Sequence, residues 1–446
     1  MSKKVLVFGS GISGIGACKL LKKVGEEVVL YDGNTALNPE EMQRQIGEET
    51  VEIVLGEFPE EIIETLKYVV MSPGVPTDLP VVNKMREKGL PIWGEVELAY
   101  TYGKGDVLAI TGTNGKTTTT ALLGEIIKNY KESVFVVGNI GNPYTVEALK
   151  MTQDSVAVAE VSSFQLETIR EFKPCVSAIL NITPDHLNRH HTMEAYIQAK
   201  EDIAKNQTKE DTCVLNYEDE VTRAFGEKIS AQVLYFSSQR KLERGIYLEE
   251  GNIIYNDGNP QVVCHVNELK LLGTHNYENV MAATAMAAAY GVPMDVIRKT
   301  VMNFSGVAHR IEFVCEKAGV AYYNDSKGTN PDAAIKGIQA MNRPTFLIGG
   351  GYDKDSQYEE WIESFEGKVK QLILLGQTKE KIALAAKNVG FENIIMVESL
   401  EEAVNVCAKL AESGDAVLLS PACASWGMFK NYEERGDMFK NYVNAL

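Results

Sequence analysis

At 446 residues the chain is too long for one ordinary core and suits three domains of about 150 residues each. Its 45% apolar and 24% charged content are those of a folded globular protein, and no run of about 18 apolar residues is present to span a bilayer. The formal net charge of -17 argues against a nucleic-acid surface. It leaves room for an anionic small-molecule substrate, because a Debye length of about 8 Å lets nearby lysines and arginines set the local field. Strand-like residues begin at position 5 and leave no room for a signal peptide, so a cytoplasmic address with no membrane partner is expected. Seven scattered cysteines without a CxxC pair fit reduced thiols that fill the core.

The first domain is expected over residues 1–97. A strand at 5–8 runs into Gly9, Gly11 and Gly14, a G-x-G-x-x-G turn that also carries Ser13, and Asp32 follows a second strand at 28–31. The pattern suits a dinucleotide. The glycine turn and the acid require only a nucleotide with phosphates and a ribose, however, and no separate segment offers hydride chemistry; a purely structural turn is the third reading. A further strand at 68–71 ends in Ser72-Pro73-Gly74, at the edge of the sheet where ligands collect.

The middle domain is expected over 98–303 and holds the most informative run, LAITGTNGKTTTT at 108–120. After a strand at 107–111, Gly112 and Gly115 let the backbone pass close to phosphate oxygens, and the next helix presents unpaired N–H groups and a positive dipole end. Thr113, Asn114 and Thr118 complete the loop. Lys116 would reach the outer phosphates and Thr117 would ligate Mg2+; Ile110 stands where the general pattern has a glycine, so the fit is to a shorter variant.

A second buried strand at 154–161 delivers Glu160, a hard oxygen ligand suited to Mg2+. A strand at 176–182 ends at Thr183-Pro184-Asp185-His186, which puts His186 near Glu160 as a second metal ligand, a substrate contact or a simple cap. His190 and His191 read as solvated. Lys200 falls in a helix expected over 193–206 and on its own reads as a surface lysine. Residues 212–266 read as short strands joined by turns, a β extension. Asn276 and Asn279, three apart at the start of an alanine-rich helix, face one side, where amides cap a helix or bond a base.

The third domain, 304–446, alternates strands at 320–323, 345–348, 371–375, 394–397 and 416–419 with helices, the pattern of a doubly wound sheet. Three polar strand ends are expected on one rim: NDSKGTN from Asn324, GGGYDK from Gly349 and SPACAS from Ser420. Arg310, just ahead of them, is a candidate clamp on a phosphate that gains charge during transfer.

In order, GTNGKTT, EVSSFQLE, NITPDHLNRH with a lysine fourteen residues after its first histidine, HNYEN, AHRIE, NDSKGTNPDA and SPACAS resemble the Mur ligase family over nearly the whole chain. The run DSKGTN is similar to the family's D-glutamate-adding branch. The resemblance implies three α/β domains: a Rossmann-like domain for a UDP-sugar, a central P-loop ATPase-type domain, and a Rossmann-like C-terminal domain that takes the amino acid and completes the ATP site. It also implies UDP-N-acetylmuramoyl-L-alanine and D-glutamate as partners, joined by way of an acyl phosphate for peptidoglycan synthesis. A monomer is expected.

On that resemblance Lys116 and Thr117 hold ATP and Mg2+, Glu160 and His186 each ligate a metal, Asn276 and Asn279 lie on the base or phosphate side, Asp325 contacts the ribose and Arg310 the γ-phosphate. Gly11, Ser13, Gly14, Asp32, Ser72, Pro73, Gly74, Asn139 and His186 would hold the sugar nucleotide. Lys327, Thr329, Lys354, Ser425 and Trp426 would hold D-glutamate. Lys200 matches the family lysine that carries a carbamate, and as an anion it becomes a metal ligand. Forming it needs a neutral amine, which costs about 4 to 5 kcal/mol at pH 7 from an ordinary lysine value. The chain departs from the branch at Asp32-Gly33-Asn34-Thr35, where an arginine often stacks on uracil, and at Trp426, where smaller apolar residues are common. An NAD(P)-dependent dehydrogenase leaves the second phosphate loop unexplained. Folylpolyglutamate synthase lacks the first domain, and a nonenzymatic nucleotide switch is the remaining alternative.

Overall fold

A computed structural model describes residues 3–446. The chain forms two compact units, one of Met1–Cys264 with Glu278–Thr300 and one of His265–Tyr277 with Val301–Leu446. The first unit opens with a five-stranded parallel sheet of β1 (Lys4–Phe8), β2 (Val28–Asp32), β3 (Glu52–Leu55), β4 (Leu66–Met71) and β5 (Ile92–Gly94), in the order β3-β2-β1-β4-β5. The strand order reverses beside β1. The turn at Gly9 therefore stands at the switch point where α/β sheets take ligands.

The second sheet has nine strands: β6 (Asp106–Thr111), β7 (Val134–Gly138), β8 (Val156–Glu160), β9 (Val176–Ile179), β10 (Thr212–Asn216), β11 (Gln232–Ser237), β12 (Gly245–Glu249), β13 (Asn252–Asn256) and β14 (Gln261–His265). Their order is β14-β13-β12-β11-β10-β9-β6-β8-β7. Residues 212–265 thus prolong the sheet that carries the phosphate loop. β10 pairs in parallel with both β9 and β11, and Cys213, Val214 and Leu215 are buried on its two faces, which explains its unbroken apolar run. β12 and β13 pair antiparallel, where the parallel part of the sheet ends.

The two sheets of this unit share a core that runs from Val5 to Ala231. Gly16, in the helix Ile12–Lys23, allows the close approach: a Cβ there would meet Thr145 Oγ1 at 2.6 Å. The helix Lys116–Lys128 buries Leu122, Leu123, Ile126 and Ile127 against the second sheet, at about 1.5–3 kcal/mol for each side chain taken fully from water.

The second unit holds one sheet of β15 (Glu312–Lys317), β16 (Val320–Asn324), β17 (Thr345–Gly349), β18 (Val369–Leu374), β19 (Ile394–Met396) and β20 (Ala416–Leu419), in the order β15-β16-β20-β17-β18-β19. β15 was not expected. It pairs antiparallel with β16, and its half-buried EFVCEK, charged at both ends, lacks the apolar run that marked its neighbours. The other strands run parallel, so Asn324, Gly349 and Leu419 end side by side and the three polar loops leave one rim.

Candidate functional site

In the second sheet β6 leads through Gly112 (φ 147°) and Gly115 (φ 85°) into the helix Lys116–Lys128. Both glycines occupy backbone conformations that L side chains rarely adopt, and a Cβ on Gly115 would fall 2.2 Å from Asn279 Oδ1. Asn279 is buried and also accepts a 3.3 Å bond from Thr119 Oγ1, so it braces the start of the phosphate helix. Asn276 is buried in the other unit, where its Nδ2 donates to Leu272 O at 2.8 Å.

The loop is clamped from the end of β9. Asn181 Oδ1 accepts from Asn114 N at 2.8 Å and Asn181 Nδ2 donates to Asn114 O at 3.2 Å. Thr113 Oγ1 accepts from Thr183 N at 3.0 Å and lies 3.0 Å from Tyr196 Oη. Sequence reasoning passed over Asn181 and Tyr196. For Asn181 the signal was available, a polar residue closing an apolar strand on the rim where Thr111 ends β6; for Tyr196, inside a helix, none was.

Two lysines meet on this loop. Lys116 Nζ donates to Gly112 O and to Thr113 O, both at 2.9 Å, and Lys200 Nζ donates to the same Gly112 O at 2.7 Å. Lys200 is 2% exposed, 4.7 Å over the Tyr196 ring. Burial first, and then the charge of Lys116, push its ammonium down to about 7 against the opposing pull of Asp185. The reading of a solvated lysine is corrected: the helix Met193–Glu201 turns this side chain inward onto the loop.

Glu160, at the end of β8, is 1% exposed. Its Oε1 accepts from the exposed Asn139 at 2.8 Å, and its Oε2 is buried without a hydrogen-bond partner. Such an oxygen suits a hard cation, and Thr117 stands half-buried in the first turn of the phosphate helix, with Thr118 buried beside it. Among the described residues no group of three or more His, Cys, Asp and Glu side chains gathers to hold a metal. That donor set fits Mg2+, which keeps several waters and is usually held by one or two carboxylates plus substrate phosphates.

His186 is exposed, takes a left-handed φ of 52°, and caps the short helix Leu187–His190. Its imidazole Nε2 is 3.5 Å from Asp185 Oδ2, and its ring stands 4.9 Å from that of Phe164. His190 was expected in solvent and is buried instead, with Nε2 2.9 Å from Ser163 Oγ and Nδ1 3.2 Å from Glu167 Oε1. Burial lowers its pKa despite Glu167. His191 is exposed, as expected, beside Asp78.

The rim of the first sheet is built differently. Ser10 N and Ser10 Oγ donate to Asp32 Oδ2 at 2.9 and 2.6 Å, and Asn34 N donates to Oδ1 at 3.0 Å. Burial works against the charge, yet the Ser10 hydroxyl and these two amides hold the carboxyl below its usual range. Ser72 Oγ donates to Gly9 O at 3.0 Å, and a Cβ on Gly14 would stand 1.8 Å from that same carbonyl. Gly11 and Gly74 are exposed, while Ser13 and Pro73 are half-buried.

In the second unit, Asp325 is buried with Oδ2 accepting from Ser420 Oγ at 2.7 Å and Oδ1 from Ile311 N at 3.2 Å. Burial raises its carboxyl to about 7 against those bonds. Lys327 and Arg310 are exposed and Thr329 is half-buried. Lys327 Nζ lies 5.6 Å over the Tyr432 ring, and Lys354 Nζ 4.9 Å over that of Trp426, itself 54% exposed. Ser425 is buried.

Arg435 ties two of these loops together. Its Nε and Nη2 donate to Ser326 Oγ and O at 2.9 and 2.7 Å, and its Nη1 to Cys423 O at 3.1 Å. Burial lowers its guanidinium to about 10. Nothing in the charged run EERGD foretold a buried arginine.

Comparison with known proteins gives one pattern along the chain. Residues 3–94 match the Mur ligase MurD-like N-terminal domain, 110–287 the Mur ligase middle domain, and 309–423 the Mur ligase glutamate ligase domain. The UDP-N-acetylmuramoylalanine--D-glutamate ligase of Lachnoclostridium phytofermentans is 60% identical, covering 100% of this chain and 99% of that one. The protein of the same name from Clostridioides difficile is 48% identical over 100% of this chain and 99% of its own. Among solved structures, the UDP-N-acetylmuramate-alanine ligase MurC of Thermotoga maritima aligns with a TM-score of 0.59 at 19% identity over 99% of both chains. MurF of Acinetobacter baumannii reaches 0.61 at 16% identity over 99% of this chain and 94% of that one. The structures agree in fold and the sequences agree from end to end: the chain belongs to the Mur ligase family.

Proposed function

We propose that this chain is an ATP-dependent ligase that joins D-glutamate to UDP-N-acetylmuramoyl-L-alanine, making the amide of a peptidoglycan precursor by way of an acyl phosphate. The substrate pair is supported by the name shared by relatives at 60% and 48% identity over the whole chain. The chemistry rests on one observation above all: Lys116 and Lys200 donate to a single carbonyl of the phosphate loop. Lys116 on a glycine loop at a helix N-terminus forms a site for a polyphosphate, and the buried amine of Lys200 is held beside it on the same carbonyl.

A carboxylate is a poor electrophile, so its oxygen must first take the terminal phosphoryl group of ATP. Lys116 and the loop N–H groups would hold the phosphates in line as charge spreads over them. Thr117 and Glu160 would hold Mg2+, which neutralises part of that charge when bound; His186 is assigned a second metal ion or the sugar-linked carboxylate. The amine of D-glutamate then attacks the acyl carbon, phosphate leaves, and the amide remains. Lys327, Lys354, Thr329, Ser425 and Trp426 are assigned to the amino acid, its carboxylates pairing with the two lysines. The turn at 72–74, with Gly11, Ser13, Gly14 and Asn139, is assigned to the sugar nucleotide. Asp32 is assigned to the loop as much as to a ribose, because Ser10 already occupies it.

An amine held near neutrality, as at Lys200, removes most of the cost of carbamate formation, in which the amine attacks CO2 and releases a proton. Lys200 is accordingly assigned a carbamate that orients the metal site. The deciding experiment measures ADP release with the sugar nucleotide present and D-glutamate set against L-glutamate. Release that needs both substrates and prefers the D isomer supports the reading. Release indifferent to either substrate rejects it.

A further inference from the structure

Glu167, at the C-terminal end of the short helix Ser163–Leu166, gathers side chains from three directions. Its Oε2 accepts from Arg189 Nη2 at 2.8 Å and from Thr77 Oγ1 at 3.2 Å, while Oε1 faces His190 Nδ1 at 3.2 Å. Arg189 Nη2 also donates to Val75 O at 3.0 Å, just past the 72–74 turn of the first sheet. Its guanidinium lies 5.0 Å over the Phe164 ring, and that ring stands 4.9 Å from the imidazole of His186. Arg189 and Glu167 keep only 13% and 15% of their side-chain surface, so this pair is shielded from the water and salt that weaken exposed ion pairs.

His186 holds a left-handed conformation unusual for a residue other than glycine, and such a conformation persists where its surroundings over-determine it. Here the surroundings are the one-turn helix after it, whose Arg189 and His190 amides donate to His186 O at 2.9 and 3.0 Å and whose Arg189 and His190 side chains both reach Glu167. The same arginine holds Val75. We propose that Arg189 is a positioning residue: anchored on Glu167 and Phe164, it fixes the 72–74 turn and His186 in one spacing, so that the sugar nucleotide held by the turn presents its carboxylate at the phosphate loop. The inference rests on the ligase reading above.

The test is steady-state kinetics on the full chain, one substrate varied at a time, with calorimetric binding of the sugar nucleotide in the absence of ATP. Arg189→Ala is expected to raise the KM for the sugar nucleotide at least tenfold and to lower kcat by a similar factor. The KM for ATP stays within twofold. Arg189→Lys, which keeps the charge and reaches fewer acceptors, is expected to recover part of the loss, and it carries the test should the alanine variant fail to fold. A rise shared equally by all three KM values, or no change in the sugar-nucleotide KM or its calorimetric affinity, overturns the positioning role. A wild-type chain that makes no amide overturns the ligase reading instead, so the two failures are told apart.

Discussion

The first unit carries two glycine turns in the same topological position, each between a central parallel strand and a helix, and they differ in the side chains they gather. At Gly112 two lysines converge on a single carbonyl and a buried carboxylate oxygen of Glu160 is left without a hydrogen-bond partner. At Gly9 the polar groups satisfy one another, Ser72 on the Gly9 carbonyl and Ser10 on Asp32. Strand, turn and helix therefore do not by themselves distinguish a reacting phosphate site from a holding one. What distinguishes them is the pair of lysines on one carbonyl, because a buried carboxylate oxygen without a partner occurs both at Glu160 and, beside the first sheet, at Glu95. On the proposed reading the first rim would hold the sugar nucleotide and take no part in phosphoryl transfer.

If that contrast is right, the largest effect belongs to Lys116. Lys116→Ala removes charge stabilisation aimed at the transferring phosphoryl group and is expected to lower kcat by at least about 10³-fold, or about 4 kcal/mol, with sugar-nucleotide binding intact. ADP release and calorimetry measure the two halves, and unimpaired release would erase the distinction between the rims. Lys200→Ala should cost about 10²-fold or more in kcat. In the wild type, 13C-labelled bicarbonate should give a carbamate resonance that this variant lacks; a wild-type rate in the variant would leave the second lysine with a packing role only.

The contrast also marks what the sequence could reveal. The loop at 112–118 was legible because its glycines, lysine and threonines are adjacent and their chemistry is local. Asn181 and Tyr196 bind the same loop from 67 and 83 residues away, so no spacing rule reaches them, and only Asn181 leaves another trace, as a polar residue closing an apolar strand. His190 was misread, and Lys200 reads as a surface lysine without the family resemblance, for a related reason: a polar residue on a helix is taken as solvated until another element covers it, and burial is a property of the tertiary fold. Strand edges suffered likewise. β15 is half-buried with charged ends, so its pairing was not legible; the β extension at 212–266 was legible as such, and the structure joins it to the sheet of the phosphate loop.

Glu95, which follows β5 on the first rim, offers a test of intermediate size. It is buried, Gln165 Nε2 donates to its Oε1 at 2.6 Å, and its Oε2 is buried without a partner. Burial raises its carboxyl from 4.5 to about 7 against the Gln165 bond. The native protein therefore keeps this proton where the unfolded chain has released it, and stability contributed by Glu95 is full below pH 4.5 and lost as pH rises through about 7. The loss amounts to about 3 kcal/mol. Glu95→Gln should flatten the wild-type decline between pH 5 and 8 in urea unfolding, measured as a difference because Asp325, also raised to about 7, contributes a slope of the same sign. Identical slopes in the two proteins would mean that Glu95 is not protonated in the native state.

The smallest expected effect falls on the bond that closes the first rim. Ser10→Ala deletes the hydroxyl that donates to Asp32 at 2.6 Å and leaves the Ser10 and Asn34 amides in place. A loss of about 1 kcal/mol is expected, the net worth of one hydrogen bond to a half-buried carboxylate. Its pH dependence runs opposite to that of Glu95. The Asp32 carboxyl is held below 3.8, so the stability it contributes is present above that value and disappears as pH falls through the lower native one. Wild type and variant should therefore differ at pH 6 and converge in strong acid. ATP-dependent steps should keep their rate once the sugar nucleotide is saturating, because the serine touches only the holding rim. A fall in kcat at saturation would mean that Asp32 and its loop take part in the reaction, and the division between a reacting rim and a holding rim would have to be given up.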